Sequence, residues 1–184
     1  PSSSVTRSIP GTISYSPASP DQNILTSYAH DGVGNRLRIT NTLGIVTAYN
    51  YDVHGRLITM TENYVDGDDS DADPDEDIGT SYGYDAAGNQ VVVTDSAGSV
   101  TRTFYDELNR PVTVTQNYAG SGQYVSYDPR YPDRNVSTFY GYDPAGNQVT
   151  VTSPLGMVAI TGYDVLNRPA VITQNYTTTV PNPD

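Results

Sequence analysis

The chain has 184 residues, neither lysine nor cysteine, and a formal net charge of −12. This charge excludes a phosphate backbone or an anionic membrane as the expected partner, because both would be repelled. Without cysteine, neither a disulfide framework nor a thiolate metal site can form. Leu, Ile, Val and Phe make up only about a fifth of the residues. The 16 tyrosines, together with many Thr, Val and Gly, predict an all-β protein with strands joined by tight turns.

Residues 1–27 are rich in Ser and Pro, and we interpret them as a linker or an entry strand. The first residues, PSSSVTRSIPG, lack the charged and apolar regions of a signal peptide. No apolar run reaches membrane-spanning length. The sequence therefore predicts no membrane insertion.

Turn-forming residues then recur at steps of 10 or 11, in three groups of four. The groups are Asp31, Asn41, Asp52 and Asn63; Asp85, Asp95, Asp106 and Asn117; and Asp143, Ser153, Asp164 and Asn175. They indicate a repeat array over residues 28–176, built from superunits over about 28–64, 82–118 and 140–176. Insertions over 65–81 and 119–139 separate the superunits, and residues 177–184 form a tail. Because both insertions interrupt the same point of the repeat, we expect them to emerge on one face or edge.

Six of these turns share one chemistry, an Asp followed three residues later by Gly or Asn. They are Asp31 with Gly34, Tyr51-Asp52 with Gly55, Tyr84-Asp85 with Gly88, Tyr105-Asp106 with Asn109, Tyr142-Asp143 with Gly146, and Tyr163-Asp164 with Asn167. His30 stands in place of the tyrosine in the first. An Asp side chain can cap the following amides, and Gly and Asn tolerate positive φ at least cost. The pattern predicts a type I turn closed by a left-handed residue.

Between the turns, valine alternates with threonine, as in Val112, Thr113, Val114 and Thr115. A period of two predicts strands with one buried face. Turns every 10 or 11 residues predict strands of about five to seven residues in a continuous antiparallel meander. Because the tyrosines end strands at matching positions, we expect aromatic ladders across the sheet.

The repeated motif resembles the YD-repeat, or Rhs-repeat, family. The resemblance rests on YDVHGRL, YDAAGNQVVVTDSAGSVTRTFYDELNRP and YDPAGNQVTVTSPLGMVAITGYDVLNRP, and it covers about residues 28–176. It implies a spiralling antiparallel β-sheet of the kind found in large secreted or surface proteins. These include bacterial polymorphic toxins, insecticidal toxin complexes and animal teneurins, where many more repeats form a hollow shell. The family's self-cleaving region has an Asp-Pro-x-x-Gly-type element, but Asp143-Pro144-Ala145-Gly146 lies in register as a YD turn, so no catalytic residue is carried over.

The first insertion is strongly acidic, and alternating carboxylates of this kind suit a hard cation such as Ca²⁺. Its aspartates are Asp66, Asp68, Asp69, Asp71, Asp73, Asp75 and Asp77. An EF-hand is excluded, because counting from Asp69 puts Pro74 where Gly is needed and Thr80 where Glu is needed. The alternative is a solvated acidic loop without metal.

Catalysis is not expected. The two histidines, His30 and His54, both fall at turns, and a catalytic triad cannot be assembled around them. Each YD aspartate has a local role in its turn, which favours a hydrogen-bonded, acidic carboxylate over a general acid or base.

Two features point to sugars. Asn135-Val136-Ser137 and Asn175-Tyr176-Thr177 match the N-glycosylation acceptor pattern. Tyr124, Tyr127 and Tyr131 in the second insertion could stack on sugar rings, and the alternative is packing of the loop against the sheet.

From the sequence we expect a non-enzymatic extracellular structural protein that assembles end to end with copies of itself into a surface filament. The alternatives are a segment of a larger Rhs-repeat shell, whose partners are further repeats of a parent chain, and a glycan-binding adhesin module. Nucleic acid is not an expected partner.

Overall fold

The computed structural model describes residues 24–65, 75–122, 125 and 128–175. All regular structure in these residues is β, as the sequence predicts. The strands are β1 (Ser27–His30), β2 (Arg36–Thr40), β3 (Val46–Tyr51), β4 (Leu57–Glu62), β5 (Ile78–Tyr84), β6 (Gln90–Thr94), β7 (Val100–Tyr105), β8 (Pro111–Gln116), β9 (Val136–Tyr142), β10 (Gln148–Thr152), β11 (Val158–Tyr163) and β12 (Pro169–Thr173). The chain divides into two compact units, Pro1–Tyr82 and Gly83–Asp184.

Each unit is an antiparallel meander in which strands pair in chain order. In the first unit, β1 to β5 pair in succession, with Ala48 opposite both Arg38 and Thr61. In the second, β6 to β12 do the same, with Thr115 opposite both Arg102 and Ser137. The predicted meander is therefore present in both units.

Meander topology separates the turns onto two edges. A chain that reverses at every strand places alternate turns at opposite ends of the strands. All six YD turns follow odd-numbered strands, so within each unit they share one edge. The turns at Asn41, Asp95 and Ser153, and the described ends of both insertions, lie on the opposite edge of their unit.

The YD turns have the predicted geometry. The residue three after each aspartate has a positive φ, from 56° at Asn167 to 98° at Gly34. Its amide donates to the aspartate carbonyl, as from Gly55 to Asp52 at 3.0 Å, and the aspartate amide donates to the carbonyl four residues on. Most YD turns are accompanied by a register shift in the adjoining pair, as between Asn50 and Tyr51. A type I turn with a left-handed closing residue and a bulge sets each hairpin register.

The prediction of one buried face is wrong. Among the described residues, the buried hydrophobic residue is Ala48, and both faces of the strands are largely half-exposed. The most buried side chains are Thr115 and Thr113, at 0% and 1% exposure, on the threonine face of β8. Cross-strand neighbours cover them: Phe104 and Phe139 flank Thr113. The alternation of valine therefore predicts the strand pleat correctly but does not identify a buried core. Among the described residues of each unit, strands contact their neighbours in chain order, and no second layer of strands covers either face.

Neighbouring YD turns are also tied to one another. The Asn89 side-chain amide donates to the Asn109 side-chain oxygen at 2.8 Å, and Asn147 donates to Asn167 in the same way at 3.0 Å. Asparagine at the left-handed position therefore has two roles. It tolerates a positive φ, and its side-chain oxygen accepts a hydrogen bond from the preceding turn.

We predict that Asn109→Ala destabilises the second unit by about 1–2 kcal/mol, because it strains the left-handed backbone and removes this bond. Asn109→Gly should cost less than Asn109→Ala, because glycine relieves the strain and loses only the side-chain contact. Urea unfolding checks both variants, with Glu107→Ala on the same exposed turn as the control. Equal losses for Asn109→Ala and Asn109→Gly would show that backbone strain is not the cause.

Candidate functional site

The YD edge of each unit is a row of aspartates occupied by local hydrogen bonds. In the turn at Asp52, one carboxylate oxygen accepts the amides of His54 and Arg56 at 2.8 and 3.0 Å. The other oxygen accepts the Arg56 guanidinium, through Nε and Nη2 at 2.7 Å each. The partner four residues after the aspartate alternates along the chain between amide and guanidinium. These partners are Asn35, Arg56, Asn89, Arg110, Asn147 and Arg168.

These bonds lower the pKa of all six YD aspartates. For Asp52 the Arg56 backbone amide is the largest cause, and with the Arg56 side chain it outweighs desolvation and brings the pKa to about 2. For Asp85 the side-chain amide of Asn89 is the largest cause. Such carboxylates stay ionised and bonded at neutral pH, so each has a local role in its own turn.

The two insertions begin and end on matching scaffolds, one in each unit. At the first, Asp77 has a positive φ of 48°, is 3% exposed, and accepts the Val65 amide at 2.9 Å. At the second, Asn135 has a positive φ of 55°, is 9% exposed, and accepts the Ala119 amide at 2.7 Å.

The asparagine that opens each insertion completes this scaffold. Asn63 donates its side-chain amide to the Asp75 carbonyl, and Asn117 donates to the Asp133 carbonyl at 2.7 Å. Both asparagines have a φ of 48°. Each insertion is therefore closed at its base by two polar side chains on left-handed residues, whatever the length of the loop between them.

A tyrosine next to each opening asparagine lies against an arginine of the sheet. The Arg38 guanidinium is 4.9 Å from the Tyr64 ring centroid, and the Arg102 guanidinium is 5.4 Å from that of Tyr118. The two arginines come from different strands of the repeat. In the first unit Arg38 on β2 lies opposite Ala48 on β3. In the equivalent pair of the second unit the order is reversed, because Val92 is on β6 and Arg102 is on β7.

The stack around Arg102 includes a second aromatic ring. The Phe104 ring lies 5.3 Å from its guanidinium, and the Phe104 and Tyr118 ring centroids are 6.3 Å apart. The Nε atom of Arg102 is buried and has no hydrogen-bond partner among the described residues. The aromatic faces supply the stabilisation that a hydrogen bond at Nε would otherwise provide.

The contacts of the YD tyrosines differ from the ring-to-ring ladders that the sequence predicts. Several YD tyrosines donate their hydroxyl to the backbone of the preceding strand, as from Tyr105 to the Gln90 carbonyl at 3.0 Å and from Tyr163 to the Gln148 carbonyl at 3.1 Å. Tyr142 reaches the Pro111 carbonyl and also lies 4.4 Å beneath the Arg110 guanidinium. Arginine stacking and hydroxyl-to-backbone bonds therefore replace much of the expected ring-to-ring contact.

Most of the predicted calcium ligands, Asp66, Asp68, Asp69, Asp71 and Asp73, lie outside the described residues. Asp75 and Asp77 are described, and both serve the base of the first insertion. Within the part of the chain that the structure describes, no three acidic or histidine side chains are placed to hold a metal ion. Calcium binding stays a prediction about the insertion.

The two glycosylation candidates differ in exposure. The Asn135 side chain is buried, and its amide nitrogen donates to the Ala119 carbonyl at 3.4 Å, so the folded chain does not present it for modification. Asn175 is exposed. Of the three sugar-stacking candidates, Tyr131 is 57% exposed, and Tyr124 and Tyr127 lie outside the described residues.

The two histidines are exposed in the first unit, one in a turn and the other at the end of β1. His54 is 4.0 Å from the Asp52 carboxylate through Nδ1, and its side chain is 73% exposed. His30 is an exposed strand end opposite Arg36. Among the described residues there is no helix long and apolar enough to cross a membrane.

Sequence reasoning missed the insertion scaffold and the arginine stacks. A signal for both was present. Asn-Tyr opens each insertion, an Asp stands two residues before Asp77 and before Asn135, and arginine is used throughout without lysine. Guanidinium is the cation that stacks flat on aromatic rings, so its exclusive use indicates this contact.

Comparison with known proteins agrees with the turn and strand geometry. The RHS Repeat family model matches residues 26–68 and 84–123. These two matches confirm the predicted resemblance to the YD-repeat, or Rhs-repeat, family over those segments. No curated protein matches it by sequence.

Solved structures show the same fold. A crystal structure of TcdB2-TccC3-Cdc42 matches with a TM-score of 0.58 and 20% identity, over 79% of this chain and 7% of that chain. A structure of the Photorhabdus luminescens Tc holotoxin pore with the TccC3-D651A mutation matches with a TM-score of 0.54 and 19% identity, over 79% of this chain and 6% of that one. The chain thus spans well under a tenth of the structures it resembles.

We predict that stability declines in acid as the YD aspartates protonate. A lowered pKa means that the carboxylate stabilises the fold above the ordinary value of 3.8, and for Asp52 this is lost as pH falls through about 2. The thermal midpoint should therefore be nearly constant from about pH 7 to 5 and fall between about pH 4 and 2.

Asp52→Asn isolates one carboxylate. Asn41 already accepts the Leu43 and Ile45 amides with its side-chain oxygen, so asparagine can keep the turn. The variant should be less stable than the parent at neutral pH, and this difference should shrink as pH falls to about 2. Thermal unfolding followed by circular dichroism checks this, and a difference that stays constant with pH would contradict the assignment.

We predict that Asp77→Asn leaves stability within about 0.5 kcal/mol, because Asn135 performs the same task in the second unit. Asp77→Ala should cost about 1–3 kcal/mol, because it leaves the Val65 amide unsatisfied and strains a left-handed residue. Urea unfolding checks this, with exposed Asp75→Ala as a control that preserves the Asp75 carbonyl. A large loss with Asp77→Asn would mean that the charge matters, as a cation ligand would require.

Proposed function

We propose that this chain is a structural segment of the wall of a larger Rhs-repeat shell, and that it acts without catalysis outside the cell. The observation that carries the proposal is the burial pattern. Among the described residues most strand side chains are half-exposed or exposed, and the few buried ones are mostly polar. A sheet that leaves both faces half-exposed suits a wall between two compartments better than an independent core.

The edge strand of the second unit supports this role. All five residues of β12 are exposed, with Val171 at 62% and Ile172 at 65%. Repeat proteins bury such surfaces by stacking one repeat on the next, and each added repeat contributes an interface to stability. Further repeats of a parent chain are therefore the partner we propose for β12.

The matching structures favour a shell segment over the end-to-end filament expected from the sequence. In TcdB2-TccC3-Cdc42 the region that resembles this chain is 7% of a much longer chain. Repeats supplied by one long chain satisfy the same strand edges that copies of a short chain would otherwise have to satisfy.

We predict that a chain extended after residue 176 by a copy of its own third superunit, residues 140–176, unfolds at a higher urea concentration than the parent. The amides of β12 should also gain protection from hydrogen exchange, because a neighbouring strand then pairs with them. The control carries the same extension with its copies of Asp143 and Gly146 changed to Ala and Val, which removes the turn.

Analytical ultracentrifugation and electron microscopy of the 184-residue chain test the filament alternative directly. A wall segment should remain monomeric, and Val171→Lys on the edge strand should change nothing. Filaments that Val171→Lys abolishes would contradict the proposal and support self-assembly through β12.

A further inference from the structure

A groove lies at the base of the second insertion. It has a volume of about 490 Å³ and runs between the Gly98–Val100 turn region and the returning part of the insertion, residues 130–134. Its volume falls within the range of small-ligand sites. The repeat architecture does not require a groove here, and neither the YD edge nor the exposed strand β12 contributes to it.

The groove walls are held in place by hydrogen bonds. The Asn117 side chain accepts the Ser99 hydroxyl and donates to the Asp133 carbonyl, so it joins the turn to the insertion. The Tyr131 amide donates to the Asp128 carbonyl at 2.9 Å, and the Arg134 amide donates to the Tyr131 carbonyl at 3.0 Å. A preformed wall lowers the entropy cost of binding a ligand.

The groove presents two guanidinium groups on a chain whose net charge is −12. Arg130 and Arg134 both line it, and both are exposed. Arg130 is held by a bidentate pair with Asp128, with Nη2 to Oδ2 at 2.7 Å. Arg134 has no carboxylate within 4.0 Å among the described residues, and its guanidinium lies 5.7 Å from the Tyr131 ring centroid. Its guanidinium is exposed and can donate to an incoming anion.

The remaining lining identifies the kind of anion. Tyr131 and Pro132 offer exposed ring surfaces, and Asn117 contributes an amide. Asp133 also lines the groove, and its carboxylate would repel a simple phosphate or sulfate. A sugar acid reconciles these features, because its carboxylate can pair with guanidinium, its hydroxyls can donate to Asp133, and its ring can lie on an aromatic face.

We propose that this groove binds a carboxylate-bearing saccharide, with Arg134 pairing with the carboxylate and Tyr131 contacting the ring. Asp133 accepts hydroxyl hydrogens and discriminates against inorganic anions. The site is independent of the shell-wall function, because it is formed entirely within the second unit and uses neither strand edge.

The test is an amide-resolved NMR titration of the 184-residue chain with sialyllactose, lactose and inorganic phosphate as separate probes. We expect saturable shifts at Ala119 and Arg134 with sialyllactose, and binding at least about tenfold weaker for lactose and for phosphate. Lactose binding as tightly as sialyllactose would overturn the role of the carboxylate. Phosphate binding as tightly would show a general anion site, and no saturable shift with sialyllactose would overturn the proposal outright.

Variants assign the contacts. Arg134→Gln should weaken sialyllactose binding about tenfold, and Tyr131→Ala should weaken it about fivefold. Both side chains are exposed, and amide spectra outside the groove should be unchanged. The matched control is Arg168→Gln, an arginine whose side chain is 71% exposed on the YD edge of the same unit. Loss of binding in the control equal to that in Arg134→Gln would show that net charge, and not the groove, attracts the ligand.

Discussion

Each unit depends on one local constraint, the aspartate-capped turn closed by a left-handed residue. At Asp52 a single carboxylate accepts two backbone amides and a guanidinium, and the closing Gly55 supplies a conformation that other residues resist. Because the turn recurs after every odd-numbered strand, it fixes both the hairpin register and the edge on which the opposite connections emerge. Each strand then pairs with its neighbour in chain order. Because the turns set the register locally, the sheet needs only a small buried core to keep it.

Packing across the strands follows a less regular scheme. Arg38 and Arg102 come from different strands, yet each stacks on the tyrosine that opens an insertion in its own unit. The smaller partners, Ala48 and Val92, change places with them across the sheet. Both units therefore keep a cross-strand pair of one arginine and one smaller apolar residue. Either strand can supply the arginine, provided that the opposite residue is small enough to accommodate it.

The insertions concentrate the features that distinguish this chain from a plain repeat wall. Their bases are rigid, because Asp77 and Asn135 bind the chain where it leaves the sheet. A loop anchored in this way can vary in length and charge without disturbing the strands. The first insertion is strongly acidic, whereas the second carries two arginines and two aspartates, so the two insertions place different chemistry on equivalent supports. Function that differs between repeats is expected in such loops, whereas the YD edge serves the fold.

The sequence by itself determined the all-β class, the spacing of the turns, their left-handed residues and the family resemblance, because a turn is specified by residues four or five positions apart. It also located both insertions. Only the tertiary structure decided that both sheet faces are half-exposed, that Thr113 and Thr115 are the most buried side chains, and that Asn135 is a structural residue. These outcomes depend on residues from three strands or from both ends of a loop. Alternation along one strand can show that a side chain faces one side of a sheet, but cross-strand neighbours determine whether that side is covered.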